Sequence, residues 1–118
     1  GHLGGDAVLV QVASLIKSAL RDSDIAGRYG GEEFGILLTS TPLDGARVVA
    51  ERLRASIESS PVPFEKAQIP VTASLGIAQF NPTIHDPEEL IAHADAALYE
   101  AKAKGRNRVV VFEELVKT

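Results

Sequence analysis

The sequence predicts an α+β domain in which helices pack on a mostly antiparallel sheet. Three observations carry this prediction. Apolar residues recur at helical spacing in separate stretches, and period-two alternation marks strands between them. The resulting order is helix, two strands, helix, strand, helix, strand, which reads as α+β. A chain of 118 residues with 45% hydrophobic content suits one core.

The first helix is read from Asp6, a suitable N-cap, through Val8, Leu9, Val12, Leu15, Ile16 and Leu20. Ile25 to Leu38 reads as strand, tip and strand. Phe34, Ile36 and Leu38 share one face, and Gly30-Gly31 forms the tip. Thr41-Pro42-Leu43-Asp44 starts the next helix, with Thr41 as N-cap and Pro42 at the first helical position. Ala46, Val49, Ala50, Leu53 and Ile57 make its apolar stripe, and Ser59-Ser60-Pro61 ends it. Val71 to Phe80 alternates as a strand. Asp86-Pro87-Glu88-Glu89 opens the last helix, with Leu90, Ile91, Ala94, Leu98 and Ala101 inward and Gly105 closing it. Arg108 to Phe112 is the final strand.

Composition excludes several functions. A net charge of −4 offers no general footprint for nucleic acid or an anionic membrane. No apolar run approaches the roughly 20 residues of a transmembrane helix. Without cysteine there is no disulfide, no thiol catalysis and no cysteine metal site. His2, His85 and His93 lack metal-ligand spacing.

The most informative run is Arg28-Tyr29-Gly30-Gly31-Glu32-Glu33-Phe34. Taken alone, adjacent acids at a turn are more often a solvated tip. Yet glutamates add little to turn geometry and repel each other. Acids beside bare backbone N–H groups suit a phosphate-bound metal: glycines let the chain approach phosphate oxygens while carboxylates hold Mg²⁺.

The Gly30–Phe34 motif, GGEEF, is a variant of the GGDEF signature, and the chain resembles the catalytic domain of diguanylate cyclases. That family condenses two GTP into cyclic di-GMP on a palm-like fold related to the ferredoxin-like arrangement. Further segments carry the resemblance over nearly the whole chain. Gly1-His2-Leu3-Gly4-Gly5-Asp6 is similar to the family's GHxxGD, and Arg21-Asp22-Ser23-Asp24 to its RxxD. Lys102-Ala103-Lys104-Gly105-Arg106-Asn107 resembles its AKxxGRN, and Thr72 to Gly76 a packing strand.

Several roles are implied by this resemblance. Glu32 and Glu33 would be the catalytic, metal-holding acids for two Mg²⁺ ions. Gly30 and Gly31 would lie against the nucleotide, Asp6 would accept from guanine, and Lys102 and Arg106 would contact the terminal phosphates. Arg21, Asp24 and Arg52 would form an inhibitory product site, with arginine gripping guanine or phosphate in bidentate fashion. His2 and Asn107 would be structural. Two copies would face each other as a homodimer, each holding one GTP, and the location would be cytoplasmic.

The family places a helix and a central strand before the point where this chain opens. Residues 1–118 are therefore expected to be a partial domain, cut within it, and inactive by themselves. They would lack a metal-binding aspartate, a lysine and a guanine-binding asparagine. The strands flanking that position are expected to close up or to recruit a strand from another chain. The alternative is a non-catalytic module that senses cyclic di-GMP through Arg21, Asp24 and Arg52; a plain interaction domain would need neither set of residues.

Overall fold

A computed structural model of the chain describes residues 2–115, except the side chain of His2. The elements are α1 (His2–Ala19), β1 (Ile25–Gly30), β2 (Glu33–Leu37), α2 (Leu43–Glu58), β3 (Val62–Phe64), β4 (Ala67–Ile69), β5 (Leu75–Ile77), α3 (Pro87–Ala103), β6 (Val109–Val111) and α4 (Phe112–Leu115). The α+β class holds. The sheet, however, is divided into three two-stranded ladders: β1–β2 and β3–β4 antiparallel, β5–β6 parallel.

The core explains where the helices sit. Ile16 of α1 meets Leu53 and Ile57 of α2, and Val12, Leu15, Phe34, Val71 and Leu75 pack around them. On the other side, Ala97 and Ala101 of α3 are fully buried, as is Val111 of β6. Small residues are required there because β5 lies directly on α3. A Cβ added at Gly76 would stand 2.3 Å from the Ala94 carbonyl oxygen and 2.4 Å from the Leu98 nitrogen. Ile91, expected inward, is 40% exposed; the inward line runs through Ala97 instead. His93 stacks on Phe112 with ring centroids 4.0 Å apart.

The helix ends show which local signals prevailed. Asp86 caps α3 by accepting from the Glu89 N–H at 2.9 Å, with Pro87 at the first position. Its other end is a Schellman closure: the Gly105 N–H reaches the Lys102 carbonyl and the Arg106 N–H the Ala101 carbonyl. For α2 the cap position falls on Pro42 rather than Thr41, without a side-chain cap bond. The Thr41 hydroxyl is engaged elsewhere, donating to the Thr39 carbonyl and accepting from Arg21. Asp6 is not an N-cap, because α1 already begins at His2. Packing outweighs the capping signal there: Gly4 is buried beside Phe64 and Ile69 of the β3–β4 hairpin, which supports the extra turn.

Val71 to Phe80 yields only the three residues of β5, since β6 offers three partners. The flanking strands do not close up. Among the described residues no ladder joins β2 to β5, and a groove runs between them.

Candidate functional site

The tip of the β1–β2 hairpin is built one residue later than glycine content alone indicates. Gly30 is the last residue of β1 and pairs with Glu33, so the two loop residues are Gly31 and Glu32. Gly31 takes φ +51, a left-handed value that glycine adopts without a Cβ clash. The register slips between Arg28 and Gly30, leaving Tyr29 as an extra residue that bends the strand. Arg28 braces the turn, its Nε donating to the Gly31 carbonyl at 2.7 Å. Among the described residues a Cβ at Gly30 or Gly31 would meet nothing within 4 Å, so their backbone is open to an approaching group.

Below this tip lies a groove of about 960 Å³, walled by α1, β2, the residues leading into β5 and the end of α3. Phe34, Ile36, Val71 and Leu75 give it an apolar floor. Its polar rim contains Asp6, Gly31, Glu32, Glu33, Lys102 and Arg106. Segments at the start, middle and end of the sequence thus meet at one opening; of the expected substrate-side residues, only Gly30 does not line it. The Lys102 Nζ stands 3.8 Å from a Glu33 carboxylate oxygen.

Glu32 and Glu33 are two adjacent carboxylates at a solvent-accessible edge. Among the described residues no group of three His, Cys, Asp or Glu side chains could enclose a metal. Two carboxylates nonetheless fit Mg²⁺, which binds through one or two such groups together with water and substrate phosphates.

The RxxD residues lie at the root of the same hairpin. The Asp24 side chain is only 3% exposed and accepts from the backbone N–H groups of Arg21 at 2.9 Å and Thr39 at 3.1 Å. These N–H bonds, and then the Arg21 guanidinium, hold its pKa below the ordinary carboxylate value. Arg21 also donates to the Thr39 carbonyl and to the Thr41 hydroxyl at 2.7 Å. Both residues border a separate cavity of about 720 Å³ between α1 and β1. Arg52 is exposed on α2, does not line that cavity, and makes no hydrogen bond or ion pair among the described residues. Arg21 and Asp24 are therefore joined to each other, whereas Arg52 is bonded to neither among the described residues.

One cluster escapes sequence reasoning. Arg54 on α2 donates to Glu51, to Glu58 at 3.1 Å and to the Asn107 side-chain oxygen at 2.9 Å. The Asn107 amide donates in turn to Glu58 at 2.7 Å. The Asn107 hydrogen bond, followed by Arg54, lowers the Glu58 pKa, and Glu51 and Glu58 raise that of Arg54. The spacing Glu51–Arg54–Glu58 is a readable helical signal; its link to Asn107 is not.

Known proteins are similar to this chain in sequence and fold. The family model described as diguanylate cyclase, GGDEF domain, matches residues 1–108. Diguanylate cyclase A of Treponema denticola is 44% identical over 111 residues, covering 94% of this chain and 30% of that protein. The GGDEF domain of DgcB from Caulobacter crescentus, solved in complex with c-di-GMP, superposes with a TM-score of 0.90 at 33% identity, over 96% of this chain and 67% of that one. The active GGEEF domain of a diguanylate cyclase from Vibrio cholerae gives 0.86 at 36% identity, over 95% and 70%. The chain spans less than a third of the Treponema protein, so it corresponds to one domain-sized segment of that relative. With the motif, the fold and these similarities in agreement, the chain belongs to the GGDEF domain family of diguanylate cyclases.

Proposed function

We propose that the protein carrying this segment condenses two GTP into cyclic di-GMP, and that the polar rim beside the GGEEF tip takes one GTP. The observation that carries this reading is the gathering of Asp6, Gly31, Glu32, Glu33, Lys102 and Arg106 around one opening. Asp6 is suited to accept the paired donors of guanine. Lys102 and Arg106 supply cations for the terminal phosphates, and Gly30 and Gly31 leave backbone open beside them. Glu32 and Glu33 would hold Mg²⁺ against the triphosphate. When bound, the metal neutralises phosphate charge and favours ionisation of a ribose 3′-hydroxyl. Each of the two bonds formed joins a 3′-oxygen of one GTP to the α-phosphorus of the other and releases pyrophosphate. One chain offers one such groove, so two copies face each other with their tips together. The supply of GTP places the reaction in the cytoplasm.

Arg21 and Asp24, with Arg52 from α2, form the proposed product site. Arg21 and Asp24 are already oriented by Thr39 and Thr41, which supports the reading. A sensing module without catalysis would use this second site alone. The retained acidic tip and its cationic neighbours favour the enzyme.

Two carboxylates are few for two metal ions, so this segment by itself is expected to bind GTP and not to turn it over. Calorimetry with GTP and Mg²⁺ tests the groove, and Lys102→Gln combined with Arg106→Gln should abolish the heat. Chromatography of the longer protein incubated with GTP tests the reaction. Undiminished product from a Glu32→Gln/Glu33→Gln variant would sink the assignment.

A further inference from the structure

The residues that follow α3 are held in an unusual conformation. Gly105, Arg106 and Asn107 have φ of +118, +65 and +48. Two of these three left-handed positions in a row carry side chains. Such a run persists only where the surroundings over-determine it. Here they do so through Asn107. Its backbone N–H donates to the Ser74 hydroxyl at 3.2 Å, its side-chain oxygen accepts from Arg54, and its side-chain amide donates to Glu58. Arg54 is only 19% exposed and is itself held by Glu51 and Glu58. Among the described residues every side-chain bond of Asn107 runs to α2, a helix that contributes no polar residue to the rim of the groove.

We infer that Arg54 and Glu58 are positioning residues: through Asn107 they fix the left-handed turn that presents Arg106 to the phosphates of the nucleotide. The inference rests on the phosphate role proposed above for Arg106. Arg106 makes no side-chain hydrogen bond or ion pair among the described residues, so its backbone sets where the guanidinium starts. The Arg108 Nε adds a bond to the Arg106 carbonyl at 3.1 Å, bracing the turn from its other end. Lys cannot replace Arg54, because one ammonium on a flexible stem does not reach Glu51, Glu58 and Asn107 in a fixed fork.

The test uses the full chain with Arg54→Ala, Arg54→Lys and Glu58→Gln, and with Arg106→Ala as the reference. Glu58→Gln keeps the side-chain shape but removes the charge and one of the two accepting oxygens, and it serves if an Arg54 variant fails to fold. Hydrogen exchange of the Asn107 amide should accelerate at least about tenfold in each lock variant, while the Ala97 and Ala101 amides keep their protection. Affinity for GTP with Mg²⁺ should fall at least about tenfold with affinity for GMP unchanged, and adding Arg106→Ala should cause no further loss. Loss of GTP and GMP binding together, or additive losses with Arg106→Ala, would overturn the positioning role. Unchanged exchange with intact GTP binding would overturn the lock alone. Wild-type chain that binds no GTP while exchange still responds would overturn the phosphate role, and the ligand named here with it.

Discussion

Lys102 and Glu33 face each other across the groove, ammonium nitrogen to carboxylate oxygen at 3.8 Å. The side chains are 38% and 44% exposed, so the pair is solvated and weakly stabilising, on the order of 0–1 kcal/mol. Each has a stronger partner in the proposed complex, phosphate for Lys102 and Mg²⁺ for Glu33. Lys102→Gln should therefore leave the melting temperature within about 3 °C and weaken GTP binding at least about tenfold. Calorimetry and thermal melting on the same samples decide this. A large stability loss with unchanged affinity would make the pair structural.

Gly76 admits no side chain. A methyl group there would press on the Ala94 carbonyl and the Leu98 backbone, and backbone cannot rotate away. Gly76→Ala should cost about 1–3 kcal/mol or more, as overpacking does. Urea unfolding measures it; a midpoint equal to that of the wild type would mean that β5 and α3 separate more easily than their contact implies.

Much of the fold was legible because its signals are local. Asp86-Pro87 fixed the start of α3, and the Ala46–Ile57 stripe placed α2. The β3–β4 hairpin was not legible: its strands have three residues each, and its loop is Glu65-Lys66, with Glu65 at φ +56, rather than glycine or asparagine. Alternation from Val71 to Phe80 overstated β5, because a strand lasts only as long as its partner. At the site, the motifs named the rim residues, although Gly30 proved to belong to the strand. The bond from Arg54 to Asn107 joins residues 53 apart and leaves no periodic trace.

Asp24 and Arg52 should separate structure from binding. Asp24 accepts two backbone N–H bonds, so Asp24→Ala should lower both the melting temperature and the affinity for cyclic di-GMP. Arg52 is exposed and free of such bonds among the described residues. Arg52→Ala should leave stability within about 0.5 kcal/mol and weaken cyclic di-GMP binding at least about tenfold. Unchanged binding by calorimetry would remove Arg52 from the product site.

Acid should loosen the root of the hairpin. The backbone N–H groups of Arg21 and Thr39 hold Asp24 below its ordinary value of 3.8. The folded state thus takes up this proton less readily than the unfolded chain. Its contribution is complete above the ordinary value and is lost as pH falls through the lowered folded one. In urea titrations, wild type should exceed Asp24→Asn at pH 7, and the gap should narrow as pH drops below 3.8. A constant gap would show that the charge of Asp24 contributes nothing.

The β1–β2 hairpin is a cantilever. Its root is fixed where Arg21 and Asp24 grip Thr39 and Thr41, and its tip carries the two glutamates to the rim of the groove. The six residues of β1 make a lever arm of roughly 20 Å. A tilt of about 5° at the root would swing the tip through roughly 2 Å, a displacement large enough to cost about a hundredfold in rate for a reaction that depends on alignment. The placement of the acidic tip therefore depends in part on the far end of the ribbon, where Thr39 and Thr41 are held.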